Sequence, residues 1–381
     1  MTGARRVPVI GRKLNGSTGV YPGFGDPTRK VLSNWSNDMT RTAHTGPRVN
    51  EQAGRSRTVL CPARLAALAI AIAASLPAHA LMVITPDYTD GTAAAAFGAN
   101  FVAFQGAFTA AAKLFTDTYN DPITIRIKVD GVAGTGTLGM SSTPIFSTGY
   151  AAMRAAAIAD AKSADDLASV STVPLTLGSI VVTDPALGAH NWWLTQAQRK
   201  ALDPTLDSVL TSSDGTATFG AGFVYNFNRV GQTATQFDLI GVMAHEISEI
   251  MGRVGISGGL VAGVAGYTLL DNMSYTGIAA KGLGGGFGNS FSINNGVTLL
   301  KAFNGVAGGD TRDWASGTAD SFNAFSDPGV QNDFTAVDVR VVDVLGYDLT
   351  AAVPEPATYA LLGLGLGGMM FARRRKLRSA A

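Results

Sequence analysis

Three residues near the middle of the chain, His245, Glu246 and Glu249, are the side chains best suited to chemistry. Apolar residues recur at spacings of three and four through residues 237–253, which predicts an amphipathic helix. Residues four apart lie on one helix face, with roughly 5–6 Å between their Cβ atoms, so His245 and Glu249 converge as two metal ligands must. Glu246 is about 100° round the helix, beside that face, where a general base for water belongs.

The pattern His245-Glu246-x-x-Glu249 resembles the helical HExxH motif of zinc-dependent peptidases, with glutamate in place of the second histidine. Glutamate is a zinc ligand, although its oxygen is harder than an imidazole nitrogen, so the motif predicts zinc or another divalent ion. The competing interpretation is a surface pair of His and Glu on a helix. We favour the metal site because two carboxylates in so apolar a helix would be costly without a partner charge.

The residues after the helix resemble the extended motif of the metzincin peptidases, HExxHxxGxxH. Gly252 stands seven residues after His245, as in that motif, but the last ligand position is Gly255, which has no side chain to bind a metal. Residues 271–275, Asp-Asn-Met-Ser-Tyr, resemble the metzincin Met-turn. This resemblance implies that Met273 lies beneath the metal.

The third metal ligand stays open at the level of the sequence. Asp271 is the first candidate, because it follows the helix after a short segment and carries a carboxylate. Tyr275 is the second, since the Met-turn tyrosine of metzincins can bind the metal, and His190 could bind or support the site. Three further aspartates are expected to be turn or calcium-type carboxylates, because aspartate is common in loops: Asp310, Asp313 and Asp320.

A longer set of matches resembles a family of secreted proteins that carry HEI(S/T)E(I/V)MGR motifs and PEP-CTERM tails and are classed as metalloproteases by motif. The matching positions outside the motif are Thr195, Ala197, Gln198, Asp214, Gly215, Phe237, Asp238, Asp271, Tyr275, Phe291, Ser292, Asp313, Trp314, Asp338 and residues 343–347. The resemblance implies an α+β, metzincin-like zinc-peptidase domain with a twisted mixed sheet and a central active-site helix. It also implies a protein or peptide substrate.

The motifs together predict a secreted zinc-dependent metalloendopeptidase. Glu246 would take a proton from water during attack on the peptide carbonyl and return it to the leaving amine. By analogy of fold, the substrate would lie extended along an edge strand at residues 179–183. One alternative is a non-catalytic surface or matrix protein with a structural or decayed metal site, which the missing third histidine motivates. Another is a glycosidase that uses Glu246 and Glu249 as its carboxylate pair, which leaves His245 without a task.

The elements that must position this helix are predicted from the patterns around it. Strict alternation at residues 123–129 predicts a half-buried strand, and helical spacing predicts a helix at 97–119. Further helices are expected at 150–161, 164–170, 195–202 and 335–345, and further strands at 179–183, 216–219, 223–227 and in a hairpin of 291–293 with 297–303. Short predicted strands and helices around a central helix favour the α+β class. Because no linker divides this part of the chain, we expect one catalytic domain at residues 81–352.

The charges are divided unevenly along the 381 residues. Residues 81–353 carry thirteen Lys and Arg against twenty-four Asp and Glu, although the net charge of the whole chain is +1. A body this acidic would repel a phosphate backbone, so nucleic-acid binding is not expected. The single cysteine, Cys61, excludes a disulfide scaffold and a cysteine-based zinc cluster.

Residues 59–80 have the pattern of a secretory signal peptide. A twelve-residue apolar run follows Arg64 and precedes Ala78-His79-Ala80, a cleavage site of the small-x-small type. We expect export through the Sec translocon and cleavage before Leu81. Residues 1–58 are polar and basic without apolar periodicity, which predicts a disordered extension or a translation start placed too early.

Residues 353–378 combine three features in a fixed order: Pro354-Glu355-Pro356, an apolar stretch at 359–372 and a basic cluster at 373–378. This order resembles the PEP-CTERM sorting signal of Gram-negative bacteria, which an exosortase recognises. The resemblance implies that the apolar helix holds the protein in the inner membrane until sorting to the cell surface or the exterior. A plain membrane anchor is the alternative, although a fourteen-residue helix of ~21 Å is short for a hydrocarbon core of ~30 Å.

Overall fold

A computed structural model of the chain describes residues 7–8, 13–16, 81–172, 191–261, 263–284 and 288–350. Several sequence predictions fall outside these residues: the signal peptide, the strand at 179–183, the role of His190 and the C-terminal sorting segment. Within the described residues, no helix is both long enough and apolar enough to cross a membrane.

Seven α-helices and sixteen mostly short β-strands make up the described part of the chain. The helices are α1 Thr92–Phe97, α2 Phe101–Thr116, α3 Tyr150–Asp160, α4 Ala164–Thr172, α5 Gln196–Leu202, α6 Leu239–Ile250 and α7 Ala336–Asp343. The strands are β1 Val7–Pro8, β2 Lys13–Gly16, β3 Val83–Asp87, β4 Thr124–Val132, β5 Gly139–Thr148, β6 Asn191–Thr195, β7 Gly215–Gly220, β8 Tyr225–Asn226, β9 Phe237–Asp238, β10 Leu260–Val261, β11 Val264–Thr268, β12 Ser274–Gly277, β13 Ala280–Lys281, β14 Ser290–Phe291, β15 Lys301–Ala302 and β16 Phe325–Ser326.

Eight strands form one mixed sheet in the order β10-β11-β6-β5-β7-β4-β3, with β2 also paired to β5. Strands β3, β4 and β7 run parallel to one another, β5 runs antiparallel to β6 and β7, and β11 runs parallel to β6. The register places Ile127 opposite Gly215 and Ser142 opposite Thr216. A second sheet, ordered β13-β12-β14-β15, follows the helix α6 in sequence. This mixture of directions confirms the α+β class with a mixed sheet.

The hydrophobic core brings the large sheet together with helices α2 and α6. Strand β4 alternates buried Ile125, Ile127 and Val129 with less buried neighbours, as the sequence predicts. Helix α2 buries Phe104 and Phe108 and packs against α6. Every residue of α6 is buried. The ionisable side chains of that helix are therefore held in the protein interior rather than at its surface.

Strand β5 brings small residues against α6. A Cβ atom on Gly139 would lie 2.5 Å from Glu246 Oε1, and one on Gly215 of β7 would lie 2.7 Å from Ile250 Cγ1. Ser141, two residues after Gly139, faces the same helix. Strand β5 was not predicted, because its first five residues, Gly-Met-Ser-Ser-Thr, lack the alternation of large apolar residues that marks a strand.

The predicted helices and strands that fall within the described residues agree with the structure to within a few residues, whereas β3, β6, β10–β13, β16 and helix α1 were not predicted. Thr195 is the N-cap of α5, and its hydroxyl accepts a hydrogen bond from the Gln198 N–H at 3.1 Å. In the predicted hairpin, β14 does pair with β15 in antiparallel fashion, but both strands are shorter than expected. Asn295 and Gly296, with φ of 58° and 74°, make the left-handed turn between them.

Candidate metal centre

The C-terminal end of α6 places an arginine side chain next to the motif. Gly252 has a φ of 115° and ends the helix in a Schellman motif, in which its N–H donates to Glu249 O and the Arg253 N–H donates to Ser248 O. This turn folds Arg253 back along the helix, and its Nε donates to Ser248 Oγ at 2.7 Å. The glycine that resembles part of the metzincin motif therefore has a clear backbone role here.

A backbone carbonyl orients the imidazole of His245. Its Nδ1 lies 3.0 Å from Ser321 O, and because a carbonyl only accepts, Nδ1 is the donor in this contact and Nε2 is the nitrogen that would bind a metal. Nε2 lies 3.4 Å from Asp313 Oδ1 and 3.6 Å from Glu249 Oε1. One nitrogen and two carboxylate oxygens are therefore close neighbours.

This group has the donor chemistry and the spacing of a site that could hold a metal ion. One atom from each of His245, Glu249 and Asp313 lies within 4.8 Å of the other two. Ligands about 2.0–2.1 Å from a tetrahedral zinc are roughly 3.4 Å apart, which is close to the two distances from Nε2. Three protein ligands with nitrogen and oxygen donors are also typical of catalytic zinc centres. The three side chains fit a divalent metal.

Both carboxylates of the group have partners that hold them in place. Ser141 Oγ donates to Glu249 Oε2 at 2.6 Å, and Arg253 Nη1 donates to Asp313 Oδ1 at 2.7 Å. Arg253 Nη2 lies 3.9 Å from Glu249 Oε1. Burial opposes the ionisation of Glu249, but hydrogen bonding to His245 and the charges of His245 and Arg253 outweigh it and lower the pKa of Glu249. Glu249 is therefore anionic.

Glu246 is buried beside this group. Burial, and then the charges of Glu249 and Asp313, raises the pKa of Glu246 well above its ordinary value. The missing side chain at Gly139 leaves the space that its carboxylate occupies. Glu246 lies outside the converging group of three, next to its members.

Three buried polar atoms at this centre have no hydrogen-bond partner among the described residues: Glu246 Oε1, Asp313 Oδ2 and Arg253 Nη2. Buried polar atoms are normally satisfied, so their concentration here fits a site that takes a ligand. A divalent ion would add positive charge beside Glu246, Glu249 and Asp313 and would favour the ionised form of the Glu246 carboxyl, whose pKa burial raises. The unsatisfied atoms and the charge balance both favour a divalent metal.

The structure does not bring Asp271, the first candidate for the third ligand, to this group. Its carboxylate accepts hydrogen bonds from the N–H groups of Ile256, Ser257 and Thr268 at 2.8–3.0 Å. Arg312 Nε donates to its Oδ1 at 2.8 Å. Asp271 therefore fixes the loop after α6, and its lone pairs are already engaged.

The remaining metzincin-like positions also lie outside the group. At Gly255 a Cβ atom would be 2.0 Å from Arg312 Cγ, so the last ligand position of the extended motif packs against the Asp271–Arg312 pair. Tyr275 Oη accepts a hydrogen bond from Lys281 Nζ at 2.7 Å. Met273 lines a small cavity of about 10 Å³ that none of the three converging residues lines.

Asp313, which the sequence predicts to be a turn or calcium-type carboxylate, takes the third position in this group. It lies in the loop after β15, where Trp314 stacks on Phe303 with 5.3 Å between ring centroids. Trp314 Nε1 donates to Asp338 Oδ1 at 2.7 Å, and Asp338 belongs to the capping box of α7. Helix α7 thus positions the loop that carries Asp313. The one signal for it in the sequence is the Asp313-Trp314 pair among the family-like positions.

Comparison with known protein families gives one match, at the C-terminus. Residues 352–376 match the PEP-CTERM protein-sorting motif. The match confirms the predicted sorting segment and implies an exported protein that an exosortase-type enzyme recognises and sorts to the cell surface. No curated protein sequence and no solved structure matches this chain significantly. The metzincin-like fold therefore stays a prediction.

Proposed function

We propose that this chain is an exported, exosortase-sorted, zinc-dependent metalloendopeptidase. The observation that carries the proposal is the convergence of His245 Nε2, Glu249 Oε1 and Asp313 Oδ1 beside the unpartnered carboxylate oxygen of Glu246. A divalent ion bound there would lower the pKa of water and polarise a substrate carbonyl. Because the helical motif resembles that of zinc-dependent peptidases, we propose that the bond hydrolysed is a peptide bond.

In this proposal Glu246 carries out the proton transfer. It takes a proton from water at Oε1, the atom that has no donor in the structure, and passes it to the leaving amine. Gly139 supports this role because it leaves the carboxylate its space. Each proposed ligand has a further partner that fixes its orientation, as metal ligands generally do: Ser321 for His245, Ser141 for Glu249 and Arg253 for Asp313.

One observation favours a second candidate function, a non-catalytic surface protein with a structural metal centre. His245, Glu246 and Asp313 each expose 1% of their surface, and Glu249 exposes 4%. A catalytic metal keeps an open position for water or substrate, so catalysis requires this centre to open. The two candidates share the metal and differ in whether Glu246 does chemistry.

The first test is the metal content of the purified full-length protein, measured by elemental mass spectrometry. We expect about one zinc per chain in the wild type and none in His245→Ala, because the imidazole supplies the only nitrogen ligand of the proposed set. A wild type that binds no metal after zinc is offered during refolding overturns the centre and both candidate functions.

Glu246→Gln separates the two candidates. Glutamine has nearly the same shape but cannot act as a base, so zinc should stay while hydrolysis of an unfolded protein substrate falls by about 10²–10⁴-fold. Asp117→Asn is the matched control, since the Asp117 side chain is 59% exposed, and it should change neither property. A zinc-loaded wild type that hydrolyses no more peptide than Glu246→Gln supports the structural centre instead.

A further inference from the structure

Two arginines of this protein are almost completely buried, and their guanidinium groups are mounted in similar ways. Arg253, just after α6, and Arg312, in the loop after β15, each expose 1% of their surface. Each donates to a buried aspartate and lies over a phenylalanine ring, Arg253 at 4.4 Å and Arg312 at 4.9 Å from the ring centroid. Arg312 is therefore a reference for a buried arginine in this fold.

Each nitrogen of the Arg312 guanidinium has an acceptor. Nε donates to Asp271 Oδ1 at 2.8 Å, and Nη1 donates to Thr311 O at 3.5 Å. Nη2 donates to the backbone carbonyls of residues 282–284 at 3.2–3.4 Å. Groups of the protein itself thus complete the hydrogen bonding of Arg312, as expected for an arginine with a structural role.

The Arg253 guanidinium is anchored at two of its three nitrogens. Nε donates to Ser248 Oγ and Nη1 to Asp313 Oδ1, both at 2.7 Å. Ser248 Oγ in turn donates to His245 O at 2.6 Å, which fixes the hydroxyl. Because a guanidinium is a rigid plane, two anchored nitrogens also fix the direction of the third. Nη2 cannot turn away without the loss of one of these bonds.

The third nitrogen, Nη2, is buried and has no hydrogen-bond acceptor among the described residues. It lies 3.9 Å from Glu249 Oε1, which is too long for a hydrogen bond. Since Nη1 of the same guanidinium binds Asp313, Nη2 lies beside two of the three members of the candidate metal centre. The unused donor of Arg253 is therefore located at that centre.

A metal ion cannot satisfy this nitrogen. The unpartnered oxygens Glu246 Oε1 and Asp313 Oδ2 could be completed by a cation, whereas Nη2 carries hydrogens and needs an atom with a lone pair. A buried donor without an acceptor costs free energy, more so when the donor is charged. The centre therefore has room in its chemistry for a second ligand that brings an oxygen. An anionic oxygen is the strongest partner for a guanidinium.

We propose that Arg253 is a catalytic residue whose Nη2 donates to the oxyanion formed during peptide hydrolysis, an inference that rests on the proposed function. When the water oxygen bonds to the carbonyl carbon, the π pair of the C=O bond moves to the carbonyl oxygen and one water proton goes to Glu246. Breakage of the C–N bond re-forms C=O, and Glu246 gives its proton to the leaving nitrogen. Arg253 donates to the oxygen and keeps its own protons.

The rigid mounting of Arg253 suits this role. Donors for an oxyanion are most effective when they are fixed beforehand in a site that excludes water, because they need not reorganise during the reaction. The substrate oxygen reaches Nη2 only when the centre opens, which catalysis requires in any case. A buried water is the other acceptor that could complete Nη2, and the test below distinguishes it from an anion.

The first measurement is the affinity of the full-length protein, loaded with Co²⁺, for inorganic phosphate, a tetrahedral anion. Phosphate should change the visible absorption spectrum of the Co²⁺ protein. Arg253→Lys should weaken this affinity by about 10-fold or more, because a hydrogen bond from a charged group is lost. Arg312→Lys is the matched control and should keep the wild-type affinity. Ser248→Ala, which removes the Nε acceptor but keeps the arginine, should weaken it by about 3-fold and serves if Arg253→Lys does not fold.

The second measurement is steady-state hydrolysis of a peptide by the zinc-loaded protein. Arg253→Lys should lower kcat by about 10²–10³-fold, the usual cost of one oxyanion donor. KM should change by less than about 3-fold, since Nη2 binds the substrate oxygen only in the transition state. The zinc content should stay the same, because His245, Glu249 and Asp313 remain. Arg312→Lys should lower the melting temperature and leave kcat within about 2-fold of the wild type.

The two measurements separate this inference from the proposed function. A peptidase whose kcat and phosphate affinity are unchanged in Arg253→Lys overturns the inference alone, and a buried water then completes Nη2. Equal losses in Arg253→Lys and Arg312→Lys also overturn it, because they indicate only the general cost of disturbing a buried ion pair. A metal-loaded wild type that hydrolyses no peptide overturns the proposed function and with it the catalytic role of Arg253, whatever the phosphate affinity.

Discussion

Two buried aspartates of this protein each pair with a buried arginine, and their surroundings differ. Arg312 Nε donates to Asp271 at 2.8 Å, and Arg253 Nη1 donates to Asp313 at 2.7 Å. Three N–H groups and two hydroxyl groups also donate to the Asp271 carboxylate. In Asp313 one oxygen has no hydrogen-bond partner in the described part of the chain, and the other lies 3.4 Å from His245 Nε2.

This difference separates a structural carboxylate from a candidate ligand. A carboxylate offers about four lone-pair sites, so the six hydrogen bonds to Asp271 leave nothing for a metal. A buried carboxylate with an unused oxygen costs free energy unless something completes its bonding. Sequence distance from the motif favours Asp271, whereas the hydrogen bonding favours Asp313.

Asp313→Asn is expected to have the largest effect, and it tests whether Asp313 is a metal ligand. Because the change removes a charged ligand from the proposed set, zinc affinity should fall by at least about 10²-fold, which exceeds the usual cost of losing a supporting contact. Competition against a chromophoric chelator measures it. Tyr275→Phe is the matched variant and should keep the wild-type affinity, since the Tyr275 hydroxyl is engaged by Lys281. Zinc loss in Tyr275→Phe with retention in Asp313→Asn would reverse the assignment.

Asp271→Asn tests the other half of the comparison. Removing one partner from a buried ion pair leaves the arginine uncompensated, so the free energy of unfolding should fall by about 3–5 kcal/mol. Urea unfolding of the metal-free protein measures this cost. Asp313→Asn should cost less in the same assay, because its carboxylate is less fully bonded, and the Asp271→Asn protein that remains folded should still bind zinc. An equal loss in the free energy of unfolding for the two variants would contradict the distinction between Asp271 as a structural carboxylate and Asp313 as a ligand.

Gly139→Ala tests whether the position of Glu246, beside the proposed ligands, matters for activity. The added Cβ would lie 2.5 Å from Glu246 Oε1 and 2.8 Å from Val242 Cγ1, so the Glu246 carboxylate must move. If the protein is a peptidase, its activity should fall by about 10-fold or more, since misplacing a catalytic group by about 1 Å can cost 10²-fold. Zinc content should stay unchanged. A variant with full activity would show that the position of Glu246 is not critical.

The smallest expected effect concerns Asp121, a buried aspartate that, among the described residues, has no paired arginine such as Asp271 and Asp313 have. The raised pKa of Asp121, about 8 against an ordinary 3.8, means that the folded state keeps a proton that the unfolded state has released. Its contribution is fully present below about pH 4 and is lost as the pH rises towards 8. In chelator, we expect the free energy of unfolding to fall by about 1.4 kcal/mol or more between about pH 5 and pH 8. A free energy of unfolding that rises over the same pH range would contradict this prediction.

The local parts of the fold could be predicted from the sequence. Helix α6 follows from apolar spacing, β4 from strict alternation, and the start of α5 from Thr195 as N-cap. Helical periodicity also places His245 and Glu249 on one face. These features depend on residues within one or two helical turns, or along a single strand, and short-range stereochemistry decides them.

The third ligand position could not be predicted, because long-range packing decides it. Asp313 reaches His245 only when Trp314 packs on Phe303 and bonds to Asp338, and none of these contacts leaves a periodic signal. The same holds for β5, whose small residues matter for the space they leave. A short polar segment such as residues 309–313, Gly-Asp-Thr-Arg-Asp, has the composition of an ordinary turn, and only its long-range contacts distinguish it.

The link between Arg253 and Asp313, 60 residues apart in the chain, has a consequence for the time course of biosynthesis. At roughly 5–20 residues per second, synthesis of the intervening segment takes on the order of 3–12 seconds. During that interval the helix that ends at Ile250 has been made, but its arginine and its histidine still lack Asp313 and the Ser321 carbonyl. Until then the Arg253 and His245 side chains must stay hydrated in the nascent chain, and the hydrophobic core cannot close round α6. The centre can therefore form only when the last quarter of residues 81–353 has been synthesised, and synthesis of the motif alone is not enough.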